Sequence, residues 1–194
     1  GEQEIFSLDE MIKIWDPARI SKSPAIFDPL KLRAINAAYI RALPAEEFRK
    51  LADPFIDQAV HVQIDRDLLC ANLQPRCEVL EDIPPQLDFF DAVLPIDAEM
   101  YCNKKQKTTP ESAKEALSAL LPVLEAQTDW SRDAIFEACK QKAEAMEKKN
   151  GWLLFPLGIA LSGKARTPGG GTDLAAMMGK EETLRRLNAA IEAL

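Results

Sequence analysis

Proline and capping residues punctuate this chain at helical intervals, and no run of residues alternates apolar and polar with period two. That pattern rules out most sheet-based folds and predicts helix almost throughout. Ser7 with Glu10 three residues later reads as a capping box, with Phe6 and Met11 placed to staple it, and this helix ends by Asp16-Pro17. Asp28-Pro29 opens a second helix, cap first and proline at the first helical position. Its Leu32, Ile35 and Tyr39 recur at three- and four-residue spacing and predict one buried face. Pro44 with Glu46 and Glu47 opens a third, interrupted near Pro54. A fourth spans 64–74, with Ile64, Leu68 and Leu69 inward, and Pro75 ends it. Short helices are expected at 77–82 and 85–91. Thr109-Pro110-Glu111 starts a long helix that Pro122 should kink or end. Ser131 starts another, with Ile135, Cys139, Ala143 and Met146 inward, stopped at Asn150-Gly151. Segments 156–162, 172–178 and 180–193 complete an all-α fold.

The 194 residues suffice for a packed core without staples. No apolar run reaches the roughly 18–20 residues a membrane span needs, and no secretory leader pattern opens the chain. A cytoplasmic location without membrane contact is the expectation. The four cysteines, Cys70, Cys77, Cys102 and Cys139, form no CxxC pair and have no histidine at ligand spacing, so they read as reduced core residues. The single histidine, His61, excludes most histidine-based triads and multi-histidine metal sites. Net charge is −7, but it is unevenly spread. Residues 1–100 carry 10 basic against 19 acidic groups, and residues 101–194 carry 14 against 12. The asymmetry is compatible with a polyanion partner for the second half, although charge runs are usually solvated faces.

Several motifs resolve into bland readings. Gly158 to Lys164 fits GxxxxGK, yet Ala165 stands where a phosphate loop needs Ser or Thr, and no strand precedes it. Gly169-Gly170-Gly171 reads as a turn. The acid pairs Asp65/Asp67 and Glu81/Asp82 read as helix-end charges, and Ser131 and Ser162 as caps. Arg76, in Gln74-Pro75-Arg76-Cys77, sits at a helix junction and could offer its fork to a base or phosphate. Spacing alone favours a surface ion pair with a neighbouring acid. Lys164, Arg166, Lys180, Arg185 and Arg186 form a basic cluster near the end, readable as a solvated face or as phosphate contacts.

Arg19-Ile20-Ser21-Lys22-Ser23 is similar to the KMSKS loop of class I aminoacyl-tRNA synthetases, but no HIGH-type partner exists in this chain. A broader resemblance runs along the whole sequence. Ile26 to Arg41 resembles the FDxxKLxWxNxxYIR signature of bacterial glutamyl-tRNA synthetases, with Asn36 at the family asparagine and Ala34 or Ile35 where tryptophan is usual. Phe6 to Glu10 and Arg19-Ile20 resemble its lead-in. Pro156 to Gly163 resembles PLRxALTG, and Thr167-Pro168-Gly169, Met178 to Glu181 and Leu184 to Leu187 resemble its TPG, LGKE and LxRL elements.

The resemblance implies the anticodon-binding region of that enzyme, an α-helical cage. Residues 1–43 would be the end of the stem-contact region. Residues 44–93 and 94–194 would be two helical anticodon-binding subdomains, with boundaries near Leu43-Pro44 and Val93-Leu94-Pro95. The catalytic domain, with its ATP and magnesium, would lie before Gly1. The chain itself is expected to hold no cofactor or metal and to catalyse nothing alone. The implied partner is tRNA(Glu), bound by a monomer. Arg76 falls where the family's arginine contacts the third anticodon base, cytosine, which marks enzymes that discriminate against tRNA(Gln). The arginine of PLRxALTG, associated with the first base, is Gly158 here, and Gly169–Thr172 holds an apparent one-residue insertion. Lys164, Arg166 and Thr167 are the nearest substitutes. Lys22, Arg33, Lys180, Arg185 and Arg186 are the expected backbone contacts. A free-standing RNA-binding paralogue and a helical interaction scaffold with an acidic contact face are the alternatives.

Overall fold

The structure is a computed structural model; it describes residues 3, 5–19, 26–92 and 94–194, with the side chain of Arg19 outside that set. Lys22, most of the KMSKS-like segment and Val93 lie outside the described residues. Among those residues the fold is all-α, with one isolated antiparallel bridge between Asn103 and Thr108. Nine α-helices are seen there: α1 (Leu8–Ile14), α2 (Pro29–Ala42), α3 (Ala45–Ile56), α4 (Arg66–Leu73), α5 (Pro110–Ala126), α6 (Arg132–Ala145), α7 (Asn150–Ser162), α8 (Gly171–Met178) and α9 (Lys180–Ala193). Short 3₁₀ turns at Pro17–Arg19, Gln74–Arg76, Leu80–Asp82, Pro84–Gln86 and Ala98–Tyr101 join them.

The caps read from sequence are in place. Ser7 and Glu10 form a capping box, Asp28 accepts from Leu30 N–H and Lys31 N–H, and Thr109 and Ser131 cap α5 and α6. Proline proved a weaker stop than expected. Pro54 and Pro122 lie inside α3 and α5. Each removes one i→i−4 hydrogen bond, but the carbonyls released belong to Lys50 and Ser118, which are solvent-exposed and can be hydrated. Asn150-Gly151 begins α7 rather than ending α6. The stop comes at Met146 and Glu147, where Glu147 takes φ +55° and Lys148 N–H returns to Ala143 O at 2.9 Å.

α7 is apolar all round and runs through the interior, with Trp152, Leu153, Leu157 and Leu161 buried. Helices α5, α6, α8 and α9 pack around it. α3, α4 and the turns up to Phe90 extend the same core from Ile40 to Ala190 as one contiguous cluster. α2 joins through Ala37 and Ile40. The face predicted from Leu32, Ile35 and Tyr39 is not the buried one. Leu32 and Tyr39 are 52% and 45% exposed, because the core lies beneath the neighbouring stripe. α1 buries nothing.

Candidate nucleic-acid interface

Two anchored loops carry the candidate residues. The first follows α4. Gln74 turns its amide back to α2, donating to Ile40 O at 3.0 Å and Leu43 O at 2.8 Å, which caps the carboxyl end of α2. Pro75 restricts the next step, and Cys77 is buried. Arg76 therefore stands exposed between two fixed neighbours. The segment beyond is tied to α2 as well. Asn36 donates to Glu78 O at 2.6 Å, and Arg33 donates to Glu78 at 2.9 Å and pairs with Asp82. Arg33, expected as a backbone contact, is thus an internal strut that remains 40% exposed.

The second loop links α7 to α8. Gly163 ends α7 at φ +64°, where a Cβ would meet Leu94, so the left-handed turn and the close approach both demand glycine. Ser162 Oγ donates to Gly158 O at 2.7 Å, and Lys164 N–H donates to Ser162 Oγ at 3.1 Å. The GxxxxGK segment is thus helix and helix end, with no phosphate cradle. Lys164 turns its ammonium to Asp88 and to Pro85 O (2.9 Å), so its charge is held by the 84–88 turn. Arg166 is exposed, and Thr167 Oγ1 donates to Gly169 O at 2.6 Å. Asp173 accepts from Gly170 N–H (2.7 Å) and from Arg132 (3.1 Å), fixing the start of α8. A shallow cavity of about 180 Å³ opens here, lined by Leu154, Phe155, Gly158, Thr167 and Gly170 among others. Phe155 offers an apolar wall and Thr167 a polar one.

Much of the expected basic cluster serves the fold. Lys180 Nζ donates to Glu125 O (2.6 Å) and Gln127 O (2.9 Å), capping the end of α5, and lies 5.8 Å from the Trp130 ring centre. Arg185 forms a two-pronged pair with Glu182, both bonds 2.7 Å. Arg186 is a correction. Its side chain is 1% exposed, so it makes no surface phosphate contact. It donates to Phe89 O (2.7 Å), Leu161 O (2.6 Å) and Phe90 O (2.9 Å), with Glu182 as counter-charge at 2.6 Å. Arg185 first, then Arg186, hold the Glu182 carboxyl down at about 2 against the opposing effect of burial.

Among the described residues, Arg41, Arg76 and Arg166 are the arginines with a described side chain and no ion pair. The remaining chemistry is quiet. Burial pushes the Cys70 and Cys77 thiols up to about 11 and Cys139 to about 12, so these are packing residues. His61 pairs with Asp91 on the surface. No described cluster of three or more His, Cys, Asp or Glu is arranged to hold a metal ion, and no described helix is long and apolar enough to cross a membrane.

One anchored turn presents Arg76 and another presents Arg166 beside a small pocket with one aromatic wall, the features of a recognition surface on an all-α body. The chain belongs to the anticodon-binding-domain family, whose model matches residues 36–191. It is 42% identical over 194 residues to a glutamate–tRNA ligase of Clostridium botulinum (strain Hall), covering 100% of this chain and 40% of that protein. A glutamate–tRNA ligase of Clostridium acetobutylicum is also 42% identical, over 195 residues. The crystal structure of a glutamate tRNA ligase from Elizabethkingia meningosepticum, in complex with its amino acid, superposes with a TM-score of 0.81 at 27% identity. That match covers 99% of this chain and 38% of the other. The chain therefore spans about two fifths of the length of the curated relatives it matches.

Proposed function

We propose that this chain is the anticodon-reading part of a glutamate–tRNA ligase, binding tRNA(Glu) as a monomer. Glutamate, ATP and magnesium would be handled by the portion of such an enzyme that this chain does not span. The observation that carries the reading is the placement of Arg76. It is an exposed guanidinium without an ion pair among the described residues, fixed on both sides by Gln74 and Cys77.

A guanidinium is always charged and offers only donors. Cytosine presents ring-nitrogen and carbonyl acceptors on its pairing edge, whereas guanine places N–H donors there. Arg76 would accordingly favour cytosine at the third anticodon position and oppose guanine. An anticodon suits such a reader because loop bases can be splayed, stacked and read on their edges. Phe155 and Thr167 supply a stacking wall and a polar contact for another base, with Arg166 beside them. Gly158 leaves that pocket open at the position where the resembled family carries arginine, so the first base is read differently here.

The test is binding of the 194-residue chain to tRNA(Glu) and to a variant with guanine at the third anticodon position, at two salt concentrations. Wild type is expected to prefer cytosine by roughly tenfold to a hundredfold, the worth of one good base contact at about 1–3 kcal/mol. Arg76→Gln should erase the preference and leave much of the salt-dependent binding. Equal binding of both RNAs by wild type would overturn the role given to Arg76. Binding of neither would overturn the anticodon reading and favour a scaffold.

A further inference from the structure

We propose that Lys104, Lys105, Lys107, Lys148 and Lys149 form a phosphate-binding corner that holds the RNA backbone beside the base pocket. The proposal rests on the tRNA reading above and adds a second, sequence-independent set of contacts to it.

The corner is assembled from two loops far apart in sequence. The Asn103–Thr108 bridge closes a tight loop, and Asn103 Oδ1 accepts from Lys105 N–H (3.0 Å) and Gln106 N–H (3.1 Å). That turn leaves Lys104, Lys105 and Lys107 exposed. Gln106 points the other way and lies against the first turn of α7, so closely that a Cβ on Gly151 would sit 1.9 Å from its Oε1. The loop is therefore docked directly beside Lys148 and Lys149, which are also exposed.

Charge accumulates here in a chain of net charge −7. Segments 102–109 and 148–151 contain five lysines and no carboxylate. Glu99, Glu111, Glu144 and Glu147 stand on the adjoining elements. Among the described residues, the lysine ion pairs are Lys140–Glu137 and Lys164–Asp88, so none of these acids forms a contact ion pair with a lysine of the corner. Lys107 is the non-glycine residue with positive φ in the first loop (+57°), whereas Glu147 (+55°) is the left-handed residue that ends α6. Left-handed backbone at non-glycine positions is costly and tends to be kept where it places function.

The helical register then links the corner to the pocket. Gly151, Leu154, Phe155 and Gly158 follow one another at spacings of three, one and three, a single stripe on α7. Gly151 touches the lysine loop, while Leu154, Phe155 and Gly158 line the cavity. The two lie about 10 Å apart along the helix axis, seven residues at 1.5 Å each. A nucleotide chain with one base in the pocket would lay its neighbouring phosphates towards the lysines. Flexible ammonium groups suit that task, since they neutralise charge without demanding one geometry.

The experiment measures the salt dependence of tRNA(Glu) binding by the full chain, with two variants. One is Lys104→Gln/Lys105→Gln/Lys107→Gln, and the other is Lys148→Gln/Lys149→Gln. Both change exposed residues, and circular dichroism checks that they remain folded. For every phosphate no longer neutralised, the slope of log affinity against log salt should fall by roughly 0.7–0.9. Affinity should fall for the cytosine and guanine RNAs by the same factor, on the order of tenfold at low salt for the triple variant. The ratio between the two RNAs should not move, in contrast to Arg76→Gln. Lys140→Gln, which removes an already paired lysine, should change the slope by much less. An unchanged slope in both variants, with wild-type discrimination intact, overturns the lysine corner and leaves the anticodon reading standing. Failure of wild type to bind either RNA overturns both.

Discussion

Arginine does two opposite jobs in this chain, and burial separates them. Arg76 is free to meet a ligand because its neighbours are fixed and it is not. Arg186 is fixed in every direction. It satisfies three carbonyls from two distant parts of the chain, Phe89 and Phe90 on one side and Leu161 at the end of α7 on the other. Both arginines stand in basic or polar surroundings in the sequence, so charge alone could not sort them. The spacing from Glu182 to Arg186 was the available signal, since a carboxylate four residues before an arginine pairs along a helix. Arg186→Met should leave those carbonyls without donors and Glu182 short of one partner. Chemical denaturation should register a loss of about 3 kcal/mol or more. The pair also carries a pH signature. The Glu182 carboxyl ordinarily titrates near 4.5 and is held at about 2 in the fold. Its contribution is then fully present above pH 4.5 and is lost as pH falls through about 2. Wild type should lose stability across that window, and the Arg186→Met variant should lose less there. Equal acid sensitivity of the two proteins would show that Glu182 is not the group responsible.

At the level of elements, caps were legible and stops only in part: α1 and α4 end before Pro17 and Pro75 as expected, whereas Pro54 and Pro122 do not end their helices. Ser7, Asp28, Thr109 and Ser131 bond within their own first turns, so local sequence determines them. The stops depend on what surrounds the helix. Pro122 is tolerated because the carbonyl it frees belongs to exposed Ser118. The face of α2 was misread for a related reason. Periodicity finds an apolar stripe, but only tertiary packing decides whether anything covers it. The candidate interface shows the same division. Arg76, Arg166 and Thr167 stand out in the sequence, whereas Gln74 and Asn36, which anchor the Arg76 loop, do so only through contacts made more than 30 residues away. The crossing of α7 and α8 was equally hidden. A Cβ on Gly171 would lie 2.9 Å from both Gly158 N and Leu154 O, whereas one on Gly158 would lie 3.7 Å from Gly171 N, an ordinary contact. The two glycines should therefore respond in opposite directions. Gly171→Ala must push the helices apart and should cost about 1–3 kcal/mol. Gly158→Ala keeps the contact and gains helix propensity, so it should stabilise by about 0.5–1 kcal/mol. Thermal melts of the two variants, read at equal protein concentration, check the sign of each. A destabilised Gly158→Ala protein would mean that the helices meet more tightly than this geometry.

Across the whole molecule, stability is concentrated where burial is. The core runs from Ile40 to Ala190, and α5 and α7 supply side chains along most of their length, including Leu117, Leu120, Leu124, Leu153, Leu157 and Leu161, all 0% exposed. The amino-terminal stretch is built differently. α1 spans seven residues, none of them buried, while Leu8, Ile12 and Trp15 are 65–70% exposed. Phe27 and Leu30 follow at 75% and 77%. A capping box closes the start of α1, and Tyr39 Oη donates to Phe6 O, yet these are surface contacts. Isolated helices shorter than about 12–15 residues are marginal in water even with favourable sequences. Local opening of α1 should therefore cost far less than global unfolding, because it uncovers no packed surface. Amide hydrogen exchange at neutral pH should show α1 exchanging first, with little protection despite its cap. Amides in the middle of α5 and α7 should exchange only through global opening and should share one denaturant dependence. α2 should fall between, held by Ala37 and Ile40, by the Gln74 cap and by the Arg33 and Asn36 struts. Protection of α1 equal to that of α5 would show that the exposed apolar residues are covered in solution, and self-association measured by sedimentation at rising concentration would then be the first explanation to examine.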